Sequence, residues 1–459
     1  MNIEPLRIRG KELYGLDLLM EGARTLSKIS RNGIRLDKEY IRTTARDLRI
    51  GIIRDKKQLD RFDEVKMWRK IYGDKFKIGS GQQLSHIMFK ELKLKRAKVT
   101  EKGSASTDEE TLKSYKLPFL DILVGLKKKE KALNTYLAQF TREMDDEGFI
   151  HPSFNLHLAT TYRSSSDGPN FQNIPIRNPE VGKLIRSAII ARQGRRVIEK
   201  DYRGIEVCLS ACYHHDPILI EYIEDKTKDM HRDMAGQCYC IDDPSEVSKK
   251  TRYGAKNKFV FPEFYGSYYG RSAPELWKYM LEEKLTTTSG VLVKDVLAKK
   301  GIITLDAFTE HIRKVEDDFW NRRFKIYTKW KKRWWLEYLR KGYFDTLTGF
   351  RCTGPMARND VLNYPMQGSA FHCLLWSAIK VDREIAEREL SSLLIGQVHD
   401  SLIGDVPDTE LDDYNKIADR VMTKDILKDY DWINVPLEVE TEASPVNGSW
   451  YEKKPLQGE

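Results

Sequence analysis

Two aspartates, Asp201 and Asp400, are the residues on which chemistry would turn. Asp201 lies in Glu199-Lys200-Asp201-Tyr202-Arg203-Gly204-Ile205-Glu206, after the β-prone approach Arg196-Val197-Ile198 and before an apolar run ending near Cys212. This reads as a strand turning through a glycine into a helix, with Asp201 at the strand end and Glu206 at the helix head. Asp400 follows His399 at the tip of a β-prone hairpin within Ile395 to Ile403. A lone turn aspartate is ordinarily a solvated cap. Two aspartates brought together rigidly in a basic protein would instead bind a pair of Mg²⁺ ions and serve phosphoryl transfer.

Nearly two hundred residues separate the two carboxylates, so the fold must join them. The 459 residues can bury a large core and suggest two to four domains or subdomains. With 78 Lys+Arg against 69 Asp+Glu the net charge is +9, a mild bias consistent with a polyanionic partner. Six unevenly spaced cysteines argue against a disulfide scaffold and for a reducing compartment. The start, Met1-Asn2-Ile3-Glu4-Pro5, has no apolar leader, and no run reaches membrane-spanning length, so a soluble intracellular protein is expected.

Along the chain, Leu16 to about Lys70 reads as charged helices, one stopped at Asn32-Gly33 and the next capped by Asp37. Ser80 with Gln83 predicts a capping box for a helix through Leu92. The polar stretch Lys95 to Thr107 is expected to be mobile, and Ile122 to Phe140 to be a helix carrying Lys127, Lys128, Lys129 and Lys131. Strands and ordered loops follow from about Asp145. Asp216 to about Tyr343 is again helical, and its Trp-rich, basic end reads as a helix with its aromatics packed and its cations wet. Asp345 to Phe350 predicts a hairpin turn, and Gln367 to Glu389 a helix. Helices, then β core, then helices, then β core again fit an α+β architecture interrupted by helical lobes.

Thr161-Tyr162-Arg163-Ser164-Ser165 with Pro169-Asn170-Phe171-Gln172-Asn173-Ile174-Pro175 resembles the template–primer loop of family A DNA polymerases, the bacterial DNA polymerase I kind. Asp201-Tyr202-x-x-Ile205-Glu206 is similar to that family's motif A, and Asp229-Met230-His231 follows at about its distance. Arg252, Lys256, Phe261 and Tyr265-Gly266 resemble motif B. Asn363-x-Pro365-Met366-Gln367-Gly368-Ser369-Ala370 and Gln397-Val398-His399-Asp400 resemble the remaining palm motifs, the latter motif C. Gly81-x-Gln83-Leu84 and Ser106-Thr107-Asp108-Glu109 agree with the thumb. The resemblance covers essentially the whole chain, in family order.

The resemblance implies a right-hand fold with an antiparallel-sheet palm and helical fingers and thumb: thumb with an N-terminal entry segment over 1–143, palm over 144–215 and 345–459, fingers over 216–344. It implies a DNA-directed DNA polymerase acting on primer–template DNA with dNTPs, with two Mg²⁺ ions for which Mn²⁺ can substitute. Asp201 and Asp400 would bridge the metals with the Tyr202 carbonyl. Arg252 and Lys256, four apart and hence on one helical face, would meet the β- and γ-phosphates beside His231, and Lys256 would protonate the leaving group. Phe261 would stack on the incoming nucleotide, and Tyr265 would fill the template-base slot until the fingers close. Glu206 would exclude a 2′-OH. Arg163, Asn170, Gln172, Asn173, Asn363, Gln367 and His399 would contact the nascent duplex, registering pairing geometry rather than sequence.

Departures from the family pattern carry expectations of their own. Gly204 stands where the family usually has Gln, and Ser401 where it has a third acid. Lys256 to Phe261 is one residue longer than the family spacing and Pro262 follows, so a one-residue bulge or kink is expected near 258–262. Residues 272–312 look like an insertion. Thumb-like sequence begins within the first twenty residues, which predicts no proofreading exonuclease in this chain; a separate exonuclease or replisome subunit would supply editing. That compactness suggests a phage source, and the cytoplasm of a bacterium or a phage-infected host as the setting. Two other readings are a single-subunit RNA polymerase, opposed by Glu206 and the Thr161–Pro175 loop, and an inactive DNA-binding subunit, which would need no paired metal acids.

Overall fold

The computed structural model describes residues 3–5, 12–95, 106–175 and 178–456. Most of the stretch expected to be mobile, Lys95 to Thr107, lies outside the described residues. At the centre is a five-stranded antiparallel sheet in the order Lys454–Pro455, Val439–Ala443, Arg195–Tyr202, Ser401–Pro407, Leu393–Val398. Alternation along its strands divides two cores. Ile198, Tyr202, Leu394, Leu402 and Val406 enter one, while Val197, Ile395, Val398 and Ile403 enter the other. With both faces covered, each strand can be apolar on both sides and still keep its register.

The first core holds the helices Gly15–Asn32, Ile205–His214 and Arg358–Glu387. The Gly15–Asn32 helix packs on the long helix Arg358–Glu387 and the edge strand Leu393–Val398 through Leu18, Leu26 and Ile29. It therefore packs with the central sheet rather than with the helices of the second core. The second core lies under the helices Lys38–Leu59 and Pro118–Lys131. Asp37 caps the first of these, accepting from the Tyr40 N–H at 2.8 Å. The expected capping box at Ser80 is half formed: Ser80 accepts from the Gln83 N–H, but the Gln83 amide oxygen turns to the Trp68 indole and the Lys77 N–H.

Between residues 216 and 344 the chain is helical. Lys249–Ala255 runs through a π turn at Lys256–Val260 into Phe261–Phe264, which puts the expected extra residue just ahead of Pro262. Tyr327 and Trp330 of the helix Lys325–Lys341 are buried as expected, but Lys331 does not stay on the wet side: it lies over the Trp320 ring at 3.0 Å, and burial pushes its pKa down to about 7. Part of 272–312 folds over the start of the Lys249 helix, where the Thr251 hydroxyl donates to the Thr286 carbonyl and Ser289 bonds Glu246. The Arg358–Glu387 helix begins nine residues earlier than expected and passes through Pro365. Proline cannot bond the carbonyl four residues back. That carbonyl, of Val361, instead accepts from the Trp334 indole N–H at 3.0 Å.

Candidate active site

The sheet brings the two aspartates together. Ser401 pairs with Asp201 across the central strands, and His399-Asp400 form the two-residue turn before it, with His399 at φ 52°. The Tyr202 N–H donates to the Asp400 carbonyl at 3.1 Å, stitching the turn to the strand end. Tyr202 itself points the other way, its hydroxyl bonded to Ser377 and the Met422 carbonyl. Asp201 keeps a water-facing edge, yet the surrounding protein strips most of its solvation. That burial, then the charges of Asp400, Glu199 and Glu440, push its pKa up to about 7. Burial likewise pushes Asp400 up to about 6, against the pull of Arg163.

Asp400 Oδ1 is buried without a hydrogen-bond partner, 3.8 Å from Arg163 Nη2. Two crowded, under-compensated carboxylates with an orphaned oxygen suit a hard divalent cation. Among the described residues no group of three His, Cys, Asp or Glu gathers as a metal site, so a cation here would complete its shell with carbonyl, substrate or water oxygens. Ser401 does not replace the missing third acid: its hydroxyl is buried, bonded to the Val398 carbonyl and Glu199.

Beside the aspartates opens a cavity of about 450 Å³ lined by Arg163, Glu206, Phe261, Tyr265, Asn363, Gln367, His399 and Asp400. Glu206 is gripped from two sides. Arg163 Nη1 donates to Oε1 at 3.3 Å and the Tyr265 hydroxyl to Oε2 at 2.5 Å. The loop bearing Arg163 can approach the long helix because Gly368 lies under it; a Cβ there would meet the Thr161 carbonyl at 3.0 Å. Asn363 and Gln367, four apart on that helix, face the same cavity. Gln172 and Ser164 both bond Gln397 Oε1, at 2.5 and 2.6 Å, and the Gln397 amide donates to the His399 carbonyl. Asn170 caps the turn Phe171–Asn173 by accepting from the Asn173 N–H, and the Asn173 side chain lies exposed.

Arg252, Lys256 and His231 form a second group. Arg252 Nε donates to Asp229 Oδ2 at 2.6 Å, and Asp229 in turn caps the helix Met230–Tyr239. Lys256 stands 5.1 Å from the Phe261 ring centre, and His231 meets the same ring edge-on at 5.5 Å. Burial, then Arg252 and Lys256, push His231 down to about 4, so it is neutral at pH 7. The π turn is what lets Phe261 face Lys256 while Tyr265 reaches Glu206. Two residues here escaped the sequence reading: Gln397, though it sits in a motif that was read, and Arg203, directly after Asp201-Tyr202.

An antiparallel sheet that carries paired acids, flanked by helical lobes, is the right-hand architecture of a nucleic-acid polymerase domain. A profile of DNA polymerase family A matches residues 55–452, and the chain belongs to that family. DNA polymerase I of Chloroflexus aurantiacus is 30% identical over 441 residues, covering 94% of this chain and 42% of that protein. The thermostable DNA polymerase I of Thermus filiformis is 28% identical over 94% of this chain and 47% of its own. The DNA polymerase of Bacillus phage SP01 is 26% identical over 85% of this chain and 42% of its own. The chain thus spans less than half the length of these relatives. The polymerase domain of Pol1 from M. smegmatis, solved with DNA primer–template and dNTP, superposes with a TM-score of 0.72 at 24% identity, over 95% of this chain and 70% of that one. Polymerases of this family use divalent metal ions. Among the described residues no helix is long and apolar enough to cross a membrane.

Proposed function

We propose that this chain is a template-directed DNA polymerase that extends a primer 3′-OH with dNTPs. The observation that carries the reading is the meeting of Asp201 and Asp400 beside a cavity lined by Arg163, Glu206 and Tyr265, with the Arg252 and Lys256 cations and the neutral His231 as a second group. The helices of residues 33–143 act as thumb, the central sheet with its packed helices as palm, and residues 216–344 as fingers. Asp201, Asp400 and the Tyr202 carbonyl would hold two Mg²⁺ ions, or Mn²⁺ in their place. When bound, such ions lower the pKa of the primer hydroxyl and neutralise the triphosphate.

The protein's own groups do the rest. Arg252 and Lys256 bind the β- and γ-phosphates, and Lys256, whose ammonium pKa is lowered first by burial and then by Arg252, is suited to give its proton to the departing pyrophosphate. His231 stays neutral and can donate a hydrogen bond to phosphate without adding charge. Phe261 stacks on the base, and Glu206 closes the space under the sugar where a 2′-OH would sit. Tyr265, bonded to Glu206, occupies the template-base position and swings out as the fingers close. Arg163, Asn170, Gln172, Asn173, Asn363, Gln367 and His399 line the path of the duplex. The bacterial and phage relatives support a cytoplasmic setting. Primer extension on a 5′-labelled primer–template with Mg²⁺ and dNTPs tests the reading, with Asp400→Ala alongside. Template-dependent extension that the substitution abolishes is expected. A wild type that binds duplex but adds no nucleotide would overturn it, and extension with rNTPs in preference to dNTPs would favour an RNA polymerase.

A further inference from the structure

Arg203 directly follows the strand end that bears Asp201, and its side chain is 64% exposed. Its Nε lies 3.1 Å from Glu440 Oε1 and its Nη1 3.4 Å from Glu438 Oε2. The strand register sets Glu440 opposite Asp201, and opposed residues leave a sheet on the same face. Glu440 therefore flanks the aspartate on the side away from Ser401. Both members of the Arg203–Glu440 pair also act on the Lys256 ammonium, Glu440 raising its pKa and Arg203 lowering it. The pair thus stands beside Asp201 on the carboxylate floor, close enough to Lys256 for both of its charges to be felt there.

We propose that Arg203 is a further polyphosphate-binding residue, one that leaves Glu438 and Glu440 to grip the triphosphate of the incoming nucleotide and the pyrophosphate product. This rests on the polymerase reading of the site. Its present partners hold it weakly, because exposed ion pairs gain little over hydration. A phosphate offers the planar guanidinium two parallel charge-assisted hydrogen bonds and more negative charge than a carboxylate. Glu438 does not lose its compensation when Arg203 departs, since Lys226 also binds it. The backbone beneath the arm is fixed: Tyr202 is buried and bonded at its hydroxyl, and the Arg203 N–H donates to the Glu438 carbonyl at 2.9 Å. Beyond it, Gly204 turns at φ +63° with nothing within 4 Å of where a Cβ would stand. What can move is the arginine side chain alone.

The test compares wild type, Arg203→Ala and Arg203→Lys in Mg²⁺. Two quantities are read: KM and kcat for one dNTP in primer extension, and the affinity for inorganic pyrophosphate by titration into the enzyme–primer–template complex. Arg203→Ala is expected to raise KM and weaken pyrophosphate binding by about tenfold each, with kcat changed far less, and Arg203→Lys to recover part of both. Unchanged KM and pyrophosphate affinity in Arg203→Ala would overturn the proposal. So would a fall in kcat and DNA affinity at constant pyrophosphate affinity, which would mark a structural role. A wild type that binds pyrophosphate but extends no primer sinks the polymerase reading, while the titrations still decide the case of Arg203.

Discussion

Glu206 is held by Arg163 from one side and Tyr265 from the other, so its position in the cavity is set before any sugar arrives. That fixity is what a size filter needs. Glu206→Ala should lower the preference for a dNTP over the matching rNTP by about 10- to 200-fold, the range a pocket gains or loses with a few atoms of bulk. Glu206→Gln, which keeps the volume, should retain most of the preference. Single-nucleotide incorporation with paired dNTP and rNTP measures both, and an unchanged ratio in Glu206→Ala would remove the gate from Glu206. At this scale the sequence singled out Asp201, Glu206, Arg252 and Asp400 by residue type and chain order, and the fold gathers Glu206 and Asp400 on one cavity with Asp201 beside it. The sequence was silent on Arg203 and Glu440, more than two hundred residues apart. A lysine or arginine beside a motif looks like any solvated charge until strand register shows what faces it.

Elements were legible where a local rule acts alone. The spacing from Lys256 to Phe261 and the proline after it foretold an inserted residue, and the π turn at Lys256–Val260 supplies it. The start of the long helix was misread for the opposite reason. A proline at position 365 argues for a boundary, but a tertiary donor, the Trp334 indole, takes the carbonyl that proline leaves free. Val361 is fully buried, so losing that donor exposes the carbonyl to no water. Trp334→Phe is expected to destabilise the protein by about 1–3 kcal/mol, the penalty of an unpaired buried polar group. Pro365→Ala restores a backbone N–H that can bond Val361 itself. In the double variant the cost of Trp334→Phe should therefore shrink, with a coupling of about 1 kcal/mol or more. Denaturant unfolding of the four proteins closes the cycle, and additive effects would show that the indole bond carries no weight.

Over the whole molecule, the sheet with a core on each face is what makes a site from segments so far apart, and the helical patterning along the chain did not say which helices pack on which face. The Gly15–Asn32 helix shows why: an apolar stripe of Leu18, Leu26 and Ile29 fits any apolar surface, and nothing local selects the long helix over the helical lobe. Joining distant segments also buries groups that would rather be charged. His372, on the long helix, stacks on Phe350 of the hairpin at 4.1 Å, with Nδ1 2.7 Å from the Thr348 hydroxyl, and burial pushes it down to about 3. In the unfolded chain a histidine titrates near 6.5. Because the folded value is the lower one, the unfolded state takes up the proton first. Stability is therefore whole above pH 6.5 and is lost as the pH falls toward the folded value. His214 and His231, lowered to about 3 and about 4, pull the same way, while Asp201 and Asp400, raised to about 7 and about 6, pull against them. A comparison of wild type with His372→Gln cancels those shared contributions. Between pH 7.5 and pH 5 the wild type should lose about 2 kcal/mol more stability than the variant, read from urea unfolding at the two pH values. Equal losses would mean that His372 accepts its proton within the fold, and that the contact between hairpin and long helix opens to water as the pH falls.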